Sequence, residues 1–347
     1  MARSSAVTVI GVLTAGGDCP GLNAVVRGVV ARAEGRNAEV VGIMNGWEGL
    51  MTGLIMPLDR DAVRGILARG GTILGTSRKD PYVHGDGLAS CLPTIKRNGI
   101  ERLVVIGGDG TLRSALHLSE EGLPVVGVPK TIDNDIAGTD MTFGFDTAVQ
   151  VASDAIDRLT TTAESHNRVI VVEVMGRTKG WIATYAGIAG GADGILVPEF
   201  EYDIDDIAAT LQRRHRRGQH HSIVVVAEGV TPPPGYESIE HREDAFGFER
   251  LGGVGFLIAD ALEQRTGFET RVSVLGHIQR GGTPTAFDRV LATRFGVGAT
   301  DLAVEGQSGV MVALRGSEIR SVPLQEAVSD IRGVDEQLYA TARTFFG

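Results

Sequence analysis

The stretch VVIGGDGT at residues 104–111, followed by GVPKTIDND at residues 127–135, decides the fold of this 347-residue chain. Each stretch begins as a short apolar strand and ends in glycine or proline followed by acidic and hydroxyl residues. Such transitions are typical of parallel α/β sheets, whose ligand-binding loops lie at the carboxyl ends of the strands. The two stretches therefore predict two loops at the carboxyl edge of a parallel sheet.

The residue types in these loops are those that phosphoryl transfer requires. Glycine lets backbone N–H groups approach a phosphate closely, and a carboxylate such as Asp109 can hold Mg²⁺. Asp133 and Asp135 lie two residues apart, so that one can act as a base while the other orients it or a metal. The pair of loops predicts a phosphoryl-transfer centre.

The same alternation of strand, turn and helix recurs along the chain. A strand at residues 7–13, a glycine-rich turn, a helix at 22–33 and a strand at 39–44 make a βαβ unit. A further helix is predicted at 148–163. Further strands are predicted at residues 102–106, 124–128, 168–174, 194–196 and 222–227. The pattern predicts an α/β protein with two doubly wound, Rossmann-like lobes, mostly parallel sheets and an active site in the cleft between the lobes.

Composition and charge exclude several classes of protein. Hydrophobic residues make up 43% of the chain and charged residues 22%, which is ordinary for a soluble globular protein. A net charge of −10 argues against a general binder of nucleic acid or anionic membranes. Cys19 and Cys91 have no metal-ligand spacing, and neither a signal peptide nor an apolar run of roughly 20 residues is visible. We therefore expect a cytoplasmic protein with reduced thiols.

Three other glycine-rich segments are candidates for phosphate binding. GGDCPGLN at residues 16–23 opens a helix and offers an anion site, but it is not the dinucleotide fingerprint. RGGTILGTSRK at 69–79 ends in two cations, which are either solvated or in contact with a donor phosphate. LGHIQRGG at 275–282, with Arg271 nearby, has the composition of a phosphate clamp.

Two segments have plainer interpretations. The cationic run at residues 213–217 closes a predicted helix and is interpreted as a solvated helix end, with anion or effector binding as the alternative. Residues 231–248 hold three prolines followed by charged and aromatic residues, which indicates an exposed loop or insertion.

Taken together, these motifs resemble the 6-phosphofructokinase family, in particular the bacterial phosphofructokinase-A superfamily. The matching motifs occur in the family's order and span most of the chain. They are GGDCPGLN (16–23), GGTILGTSR (70–78), GGDGT (107–111), PKTIDND (129–135), SHNRVIVVEVMGR (165–177), AEG (227–229) and LGHIQRGG (275–282).

The resemblance implies an ATP:fructose-6-phosphate 1-phosphotransferase, an enzyme of glycolysis that requires Mg²⁺. Asp133 would be the base for the sugar 1-hydroxyl, with Thr131 and Asp135 shaping its loop, and Asp109 would hold the metal. Lys130 and Arg177 would assist the transfer. The phosphoryl donor would be bound by Gly17, Arg78, Lys79, Gly108, Asp109, Gly110 and Thr111.

The resemblance also implies a sugar-phosphate site and an assembly. Fructose 6-phosphate would be bound by Thr131, Ile132, Asp133, Met175, Gly176, Arg177, Glu228, His277, Ile278, Gln279 and Arg280. Arg168 and Arg271 would reach a neighbouring subunit's site, so we expect a homo-oligomer, either a tetramer or a dimer. The donor lobe would comprise residues 1–144 plus about 279–330, and the fructose 6-phosphate lobe residues 145–278 plus about 331–347.

Members of the family differ in their phosphoryl donor and in their effector site, and this chain matches each of these patterns only in part. Members that use pyrophosphate typically carry Asp at the position of Gly110 and Lys at the position of Lys130, whereas the best-known ATP users carry Gly at both. This chain combines Gly110 with Lys130. Because an aspartate at 110 would repel the nucleotide α-phosphate, we favour ATP, with pyrophosphate as the alternative.

Arg27 and Arg60 match the family's effector site, but Ala31 stands where another arginine is usual.

The sequence disfavours two other classes of function. An oxidoreductase or nucleotide-binding module on a similar sheet would carry a dinucleotide fingerprint, which the sequence lacks. A non-catalytic regulatory subunit would lack the base, yet Asp133 is present.

Overall fold

The computed structural model of the chain describes residues 7–236, 242–243, 249–250 and 252–346. Its strands are β1 (Thr8–Thr14), β2 (Ala38–Ile43), β3 (Ile55–Leu58), β4 (Arg102–Gly107), β5 (Val125–Thr131), β6 (Phe143–Gly144), β7 (Val169–Val174), β8 (Gly194–Leu196), β9 (Ser222–Ala227), β10 (Arg242–Glu243), β11 (Glu249–Arg250), β12 (Thr270–Val274), β13 (Val310–Arg315) and β14 (Glu318–Pro323). Its helices are α1 (Leu22–Glu34), α2 (Trp47–Thr52), α3 (Pro81–His84), α4 (Leu88–Arg97), α5 (Asp109–Glu120), α6 (Phe145–His166), α7 (Trp181–Ala189), α8 (Ile204–Arg216), α9 (Val254–Thr266), α10 (Ala286–Val304), α11 (Leu324–Ala327) and α12 (Glu336–Arg343). A 3₁₀ turn spans Gly276–Arg280.

Contacts within the chain divide it into two compact units. Unit 1 comprises Met1–Thr147 and Arg280–Ile331, and unit 2 comprises Ala148–Gln279 and Arg332–Gly347. Each unit contains a sheet of its own.

The sheet of unit 1 has the strand order β3-β2-β1-β4-β5-β13-β14, with β6 paired to β5. The edge strands β3 and β14 are antiparallel to their neighbours, and the other pairs are parallel. The chain proceeds outward from β1 to β2 and β3, and then continues on the other side of β1 with β4 and β5. The strand order therefore reverses between β1 and β4, which is the position where doubly wound sheets bind ligands.

The interior strands of unit 1 are buried along almost their whole length. All seven residues of β5 are buried, and so are Leu103 through Gly107 of β4. Nearly continuous apolar runs of this kind are expected of parallel strands that are covered on both faces. Helix α5 packs on β4 and β5, while α10 packs on α1 and on β5.

Unit 2 contains a four-stranded parallel sheet of order β12-β7-β9-β8. The chain proceeds from β7 to β8, returns to β9 between them, and finally places β12 on the other side of β7. The order therefore reverses between β7 and β12. The carboxylate of Glu173 on β7 accepts hydrogen bonds from the backbone N–H groups of Gly253 and Gly255, which fixes the start of α9.

The predicted fold class is confirmed, and the predicted elements coincide closely with those observed. The strands predicted at 194–196 and 222–227 match β8 and β9, and the helix predicted at 148–163 lies within α6. Residues 237–241 and 244–248 of the predicted insertion lie outside the described residues, as do residues 1–6. Among the helices that the structure describes, none is long and apolar enough to cross a membrane.

Candidate active site

The glycine turn after β1 is fixed by the loop that follows β3. The backbone N–H of Gly16 donates to the Ser77 carbonyl at 3.0 Å, and the Thr76 hydroxyl donates to the Gly16 carbonyl at 2.6 Å. Asn23 at the start of α1 holds the same loop, donating to the Arg69 carbonyl at 3.0 Å and accepting from the Ile73 N–H at 2.8 Å. Two of the glycine-rich segments therefore form one structure in unit 1.

Two cations reach this turn from different parts of unit 1. The ammonium of Lys130, on the last part of β5, donates to the Gly17 carbonyl. The Arg280 guanidinium lies against the same turn, with Nη1 3.4 Å from the Asp18 carbonyl. A Cβ on Gly17 would lie only 3.1 Å from that Nη1, so glycine permits the close approach. Positive charge is thus concentrated where the strand order reverses.

Burial changes the chemistry of the groups behind the turn. Desolvation lowers the pKa of Lys130, and the charge of Arg280 acts in the same direction. Burial raises the pKa of the Cys19 thiol well above its usual value, so this cysteine is an uncharged packing group.

The second glycine loop joins β4 to α5. Asp109 begins the helix, and its carboxylate accepts from Arg113 one turn later, with Nη2–Oδ1 and Nη2–Oδ2 distances of 3.0 and 3.3 Å. A Cβ on Gly107 would lie 2.2 Å from Thr111 Cγ2, so the bend requires glycine there. Gly110 is different, because a Cβ at this residue would meet no described atom within 4 Å.

The loop after β5 presents a buried carboxylate. The backbone N–H of Asp133 donates to Thr131 Oγ1 at 3.0 Å, whereas Asp133 Oδ1 is buried without a hydrogen-bond partner among the described residues. Asn134 adopts a left-handed backbone conformation, with φ of 52°, and accepts from the Thr142 N–H at 3.0 Å. The Thr142 hydroxyl donates to the Thr131 carbonyl at 2.8 Å, which closes the loop. Ile132 packs into the core and anchors it.

The two cations predicted at the end of the second glycine-rich segment lie on the surface. Arg78 and Lys79 are exposed, and the Lys79 ammonium lies 2.6 Å from Glu48 Oε1.

In unit 2, candidate residues follow three neighbouring strands. Met175 to Arg177 follow β7, Glu228 follows β9, and His277 lies on the 3₁₀ turn after β12. Glu228 Oε1 accepts from the N–H groups of Gly176 at 3.3 Å and Arg177 at 2.9 Å.

The amide of Gln279 continues this arrangement, because its Oε1 accepts from the Met175 N–H at 2.9 Å. Its Nε2 is buried without a hydrogen-bond partner among the described residues. His277 and Ile278 are exposed.

Arg168 and Arg271 lie together on unit 2 and share one carboxylate. The Nη2 atom of Arg168 lies 2.8 Å from Glu269 Oε1, and Arg271 binds the same oxygen. The hydrogen bond from Arg168 holds the pKa of Glu269 below its usual value, and the charges of both arginines act in the same direction.

The structure thus groups the predicted residues into two sets. In unit 1 it brings Gly17, Lys130 and Arg280 together. The sugar-phosphate contact that the resemblance implies for Arg280 stays a prediction. In unit 2 it brings Met175, Gly176, Arg177, Glu228 and Gln279 together.

Sequence reasoning assigned no role to several residues that support the site, although Asn23 and Asn134 lie within the quoted motifs. Asn23, Asn134 and Thr142 hold loops, Arg113 pairs with Asp109, and Glu269 pairs with Arg168 and Arg271. Only Asn134 carried a usable signal, because asparagine adopts left-handed backbone conformations more readily than most residues.

Two units with parallel sheets, each with candidate site residues in the loops near the point where the strand order reverses, define an α/β protein of the doubly wound class. Residues 9–303 match the sequence model of the family described as Phosphofructokinase. The chain belongs to the phosphofructokinase family.

Individual relatives carry two kinds of name. A protein of Amycolatopsis methanolica described as a pyrophosphate–fructose 6-phosphate 1-phosphotransferase is 53% identical over 340 residues, covering 97% of this chain and 99% of the relative. A protein of Streptomyces coelicolor described as ATP-dependent 6-phosphofructokinase 3 is 53% identical over 335 residues, covering 96% and 98%. The crystal structure of Pichia pastoris phosphofructokinase superposes with a TM-score of 0.83 at 33% identity, and the match covers 98% of this chain and 37% of that one.

Proposed function

We propose that this protein is an ATP-dependent 6-phosphofructokinase, which transfers the γ-phosphoryl group of ATP to the 1-hydroxyl of fructose 6-phosphate. The observation that carries the proposal is the carboxylate of Asp133, whose Oδ1 is buried without a partner in the described part of the chain. This residue follows the strand next to the Gly108–Asp109 loop. A buried carboxylate oxygen without a donor is costly unless a ligand uses it.

Asp133 acts as the base in this proposal. Its Oδ1 accepts the proton of the sugar 1-hydroxyl while the hydroxyl oxygen forms a bond to the γ-phosphorus and the bond to the leaving ADP oxygen breaks. Thr131 and Asn134 hold the loop in one conformation, so the base needs no rearrangement at the moment of transfer. Asp135 completes the loop as its second carboxylate.

Cations in unit 1 stabilise the charge of the transferring group. Lys130 and Arg280 meet at the Gly17 turn, and α5 points the N-terminus of its dipole toward the Gly108 loop. Because Lys130 is held by the Gly17 carbonyl, its charge is fixed in place before substrate binds. Thr111 in the first turn of α5, with Arg78 and Lys79, completes the donor side.

Asp109 fits a magnesium ion that arrives with the donor. The described residues contain no cluster of three or more acidic, histidine or cysteine side chains for a metal, whereas Mg²⁺ is commonly held by one or two carboxylates together with substrate phosphates. Asp109 offers one partly exposed carboxylate, both of whose oxygens lie within 3.3 Å of Arg113 Nη2, so a bound ion would share this carboxylate with Arg113. When bound, the ion would neutralise charge on the phosphates.

Unit 2 would bind the acceptor. The Arg177 guanidinium contacts the transferring group and the sugar, while Glu228, His277, Ile278 and Gln279 complete the sugar site with Met175 and Gly176. Arg168 and Arg271, paired through Glu269, serve a neighbouring subunit of a dimer or tetramer. We thus assign the phosphoryl donor to unit 1 and the acceptor sugar to unit 2.

The choice of ATP rests on Gly110. Neither a positive φ nor close packing requires glycine at this residue, and a side chain there would project into open space. The absence of a side chain leaves room for the rest of a nucleotide beyond its transferred phosphate. A specific observation favours pyrophosphate as the second candidate, namely Lys130, which the pyrophosphate-using pattern shares.

The donor assay is the direct test. The purified protein is supplied with fructose 6-phosphate, Mg²⁺ and either ATP or pyrophosphate, and formation of the 1,6-bisphosphate is followed. We expect kcat/KM for ATP to exceed that for pyrophosphate by at least about tenfold, or about 1.4 kcal/mol. A preference for pyrophosphate would contradict the assignment of ATP while leaving the acceptor assignment intact.

The variant Gly110→Asp tests the role of Gly110. The new side chain has room in the fold, so we expect a folded protein in which repulsion of the α-phosphate lowers kcat/KM for ATP by about 100-fold or more. Pyrophosphate use should persist or rise, because that donor lacks the third phosphate. Gly110→Asn, which has nearly the same shape without the charge, is the matched control and should retain more ATP activity.

A further inference from the structure

The turn that carries Arg177 is strained and is held at both ends by carboxylates. Gly176 has φ of 144° and Arg177 has φ of 51°, which is a left-handed conformation that arginine rarely adopts. A Cβ on Gly176 would lie 2.4 Å from the Lys179 carbonyl oxygen, so the turn is tight as well as left-handed. Such a conformation persists only when surrounding contacts enforce it.

Glu228 holds the first end of the turn through the N–H groups of Gly176 and Arg177. Glu199 holds the other end. Both of its carboxylate oxygens lie 3.0 Å from the N–H of Gly180, the residue that caps α7. A Cβ on Gly180 would lie 2.9 Å from Glu199 Oε2 and 2.3 Å from Val197 Cβ, so glycine is needed for this approach.

The same carboxylate fastens the C-terminal segment of unit 2. Glu199 Oε1 also accepts from the Val334 N–H at 3.0 Å. Beside it, the indole N–H of Trp181 donates to the Arg332 carbonyl at 2.9 Å, and the Arg332 guanidinium lies 4.6 Å from the centre of the Trp181 ring. Residues 332–334 therefore close over the turn, with Glu199 as the shared acceptor.

We propose that Glu199 is a positioning residue for Arg177. The segment 332–334, which is hydrogen-bonded to Glu199 and to Trp181, helps to hold the turn in place. A carboxylate that receives backbone N–H groups at a helix N-terminus is charge-assisted and favoured by the helix dipole. It fixes the start of α7, and with Glu228 it leaves the four-residue turn one conformation. The proposal rests on the proposed role of Arg177 in acceptor binding.

The test uses steady-state kinetics of the full chain with Glu199→Ala and Glu199→Gln. Glu199→Ala leaves the N–H groups of Gly180 and Val334 without their acceptor, so we expect KM for fructose 6-phosphate to rise at least tenfold while KM for the donor changes less than twofold. Glu199→Gln keeps one acceptor oxygen and should recover most of the loss. Glu201→Ala, which removes an exposed carboxylate two residues away, is the matched control and should behave as the unmodified protein.

A double-mutant comparison separates positioning from general stability. In an Arg177→Ala background, Glu199→Ala should change KM for fructose 6-phosphate less than twofold, because the side chain it positions is gone. An equal effect in both backgrounds overturns the proposal, and so does an unchanged KM in Glu199→Ala. If Glu199→Ala does not fold, Glu199→Asp, whose shorter side chain withdraws the carboxylate from the N–H groups of Gly180 and Val334, carries the same comparison.

The proposed function fails separately from this inference. Absence of fructose 6-phosphate phosphorylation by the unmodified protein with either donor would remove the function itself. An active protein in which Arg177→Ala leaves KM unchanged while Glu199→Ala raises it would refute only the positioning of Arg177 by Glu199.

Discussion

Asp133 combines burial with an acceptor atom that no described residue uses. The Thr131 hydroxyl fixes its backbone, so replacing the carboxylate by an amide changes basicity far more than shape. We predict that Asp133→Asn lowers kcat by about 100-fold or more while KM for fructose 6-phosphate changes less than about threefold. Activity within a few-fold of the unmodified protein would assign the base elsewhere, and Asp86→Asn, at an exposed aspartate of the same unit, controls for the substitution.

Asp288 is the buried carboxylate that fixes the start of α6. It accepts from the N–H of Gly144 at 2.9 Å and from the N–H and hydroxyl of Thr147 at 2.8 and 2.6 Å. Burial raises its pKa to about 6, and these hydrogen bonds oppose the rise. Between an unfolded pKa of about 4 and this value the native state binds the extra proton, so this group lowers the free energy of unfolding as pH rises through that window.

The variant Asp288→Asn tests whether the free energy of unfolding falls as pH rises through this window. Asparagine does not titrate, so we predict that the stability of the unmodified protein relative to the variant falls by up to about 3 kcal/mol from pH 4 to pH 6 and is constant above pH 7. Denaturant melts of both proteins at several pH values measure the difference. A relative stability that grows with pH would mean that the hydrogen bonds outweigh burial.

At the scale of elements, glycine decides how closely α1 and α10 pack. A Cβ on Gly296 would lie 2.4 Å from the Val25 carbonyl oxygen, and one on Gly28 would lie 2.8 Å from the Thr293 carbonyl oxygen. Neither glycine has a positive φ, so glycine is needed at these positions for the close contact between the helices and not for an unusual backbone conformation. Alanine would improve helix propensity by about 1 kcal/mol but would force the helices apart.

We predict that Gly296→Ala lowers the free energy of unfolding by about 1–3 kcal/mol, because overpacking outweighs propensity. Gly110→Ala is the control, since that glycine also lies in a helix but a Cβ there meets open space. It should be neutral or slightly stabilising. Equal changes in the free energy of unfolding for the two substitutions would show that α1 and α10 accommodate the added methyl group without loss of stability.

The elements that sequence predicted best are the buried parallel strands. Apolar runs such as residues 222–227 fit a strand that is buried on both faces of a sheet, and turn residues mark their ends. Strand β14 was not predicted, because it is largely exposed at the sheet edge and pairs with β13 through a local hairpin. Strands β12 and β13 were not predicted either, although Met311 to Leu314 of β13 are buried. Strand order was also out of reach, since which strands neighbour β1 depends on long-range pairing and not on local pattern.

In the candidate site, too, the local motifs could be predicted from the sequence, whereas the long-range contacts could not. Residue types and spacing identified the loops after β4, β5 and β7, because glycine and carboxylates at strand ends have few other uses. The contacts that hold those loops join residues far apart in sequence, such as Asn23 with Arg69 and Glu199 with Val334. No pattern in one sequence specifies such pairs.

At the scale of the whole molecule, the candidate residues are divided between two units and, in our proposal, between subunits. Arg168 and Arg271 occupy unit 2 with their charges shared through Glu269, and Arg168 Nε is buried without an acceptor among the described residues. If these arginines serve a neighbour's sugar-phosphate site, then each complete site needs Asp133 from one subunit and Arg168 from another.

Subunit mixing tests this arrangement. We predict that Arg168→Ala raises KM for fructose 6-phosphate at least tenfold, because it removes a charged contact to the sugar phosphate. At low fructose 6-phosphate both Arg168→Ala and Asp133→Asn are then nearly inactive. If two such subunits exchange randomly within symmetric pairs, about a quarter of the sites combine an intact Asp133 with an intact Arg168, so activity returns on mixing. The control mixes Asp133→Asn with a chain that carries both substitutions, which restores no complete site. A mixture that shows only the average of its parents would place Arg168 in the site of its own subunit.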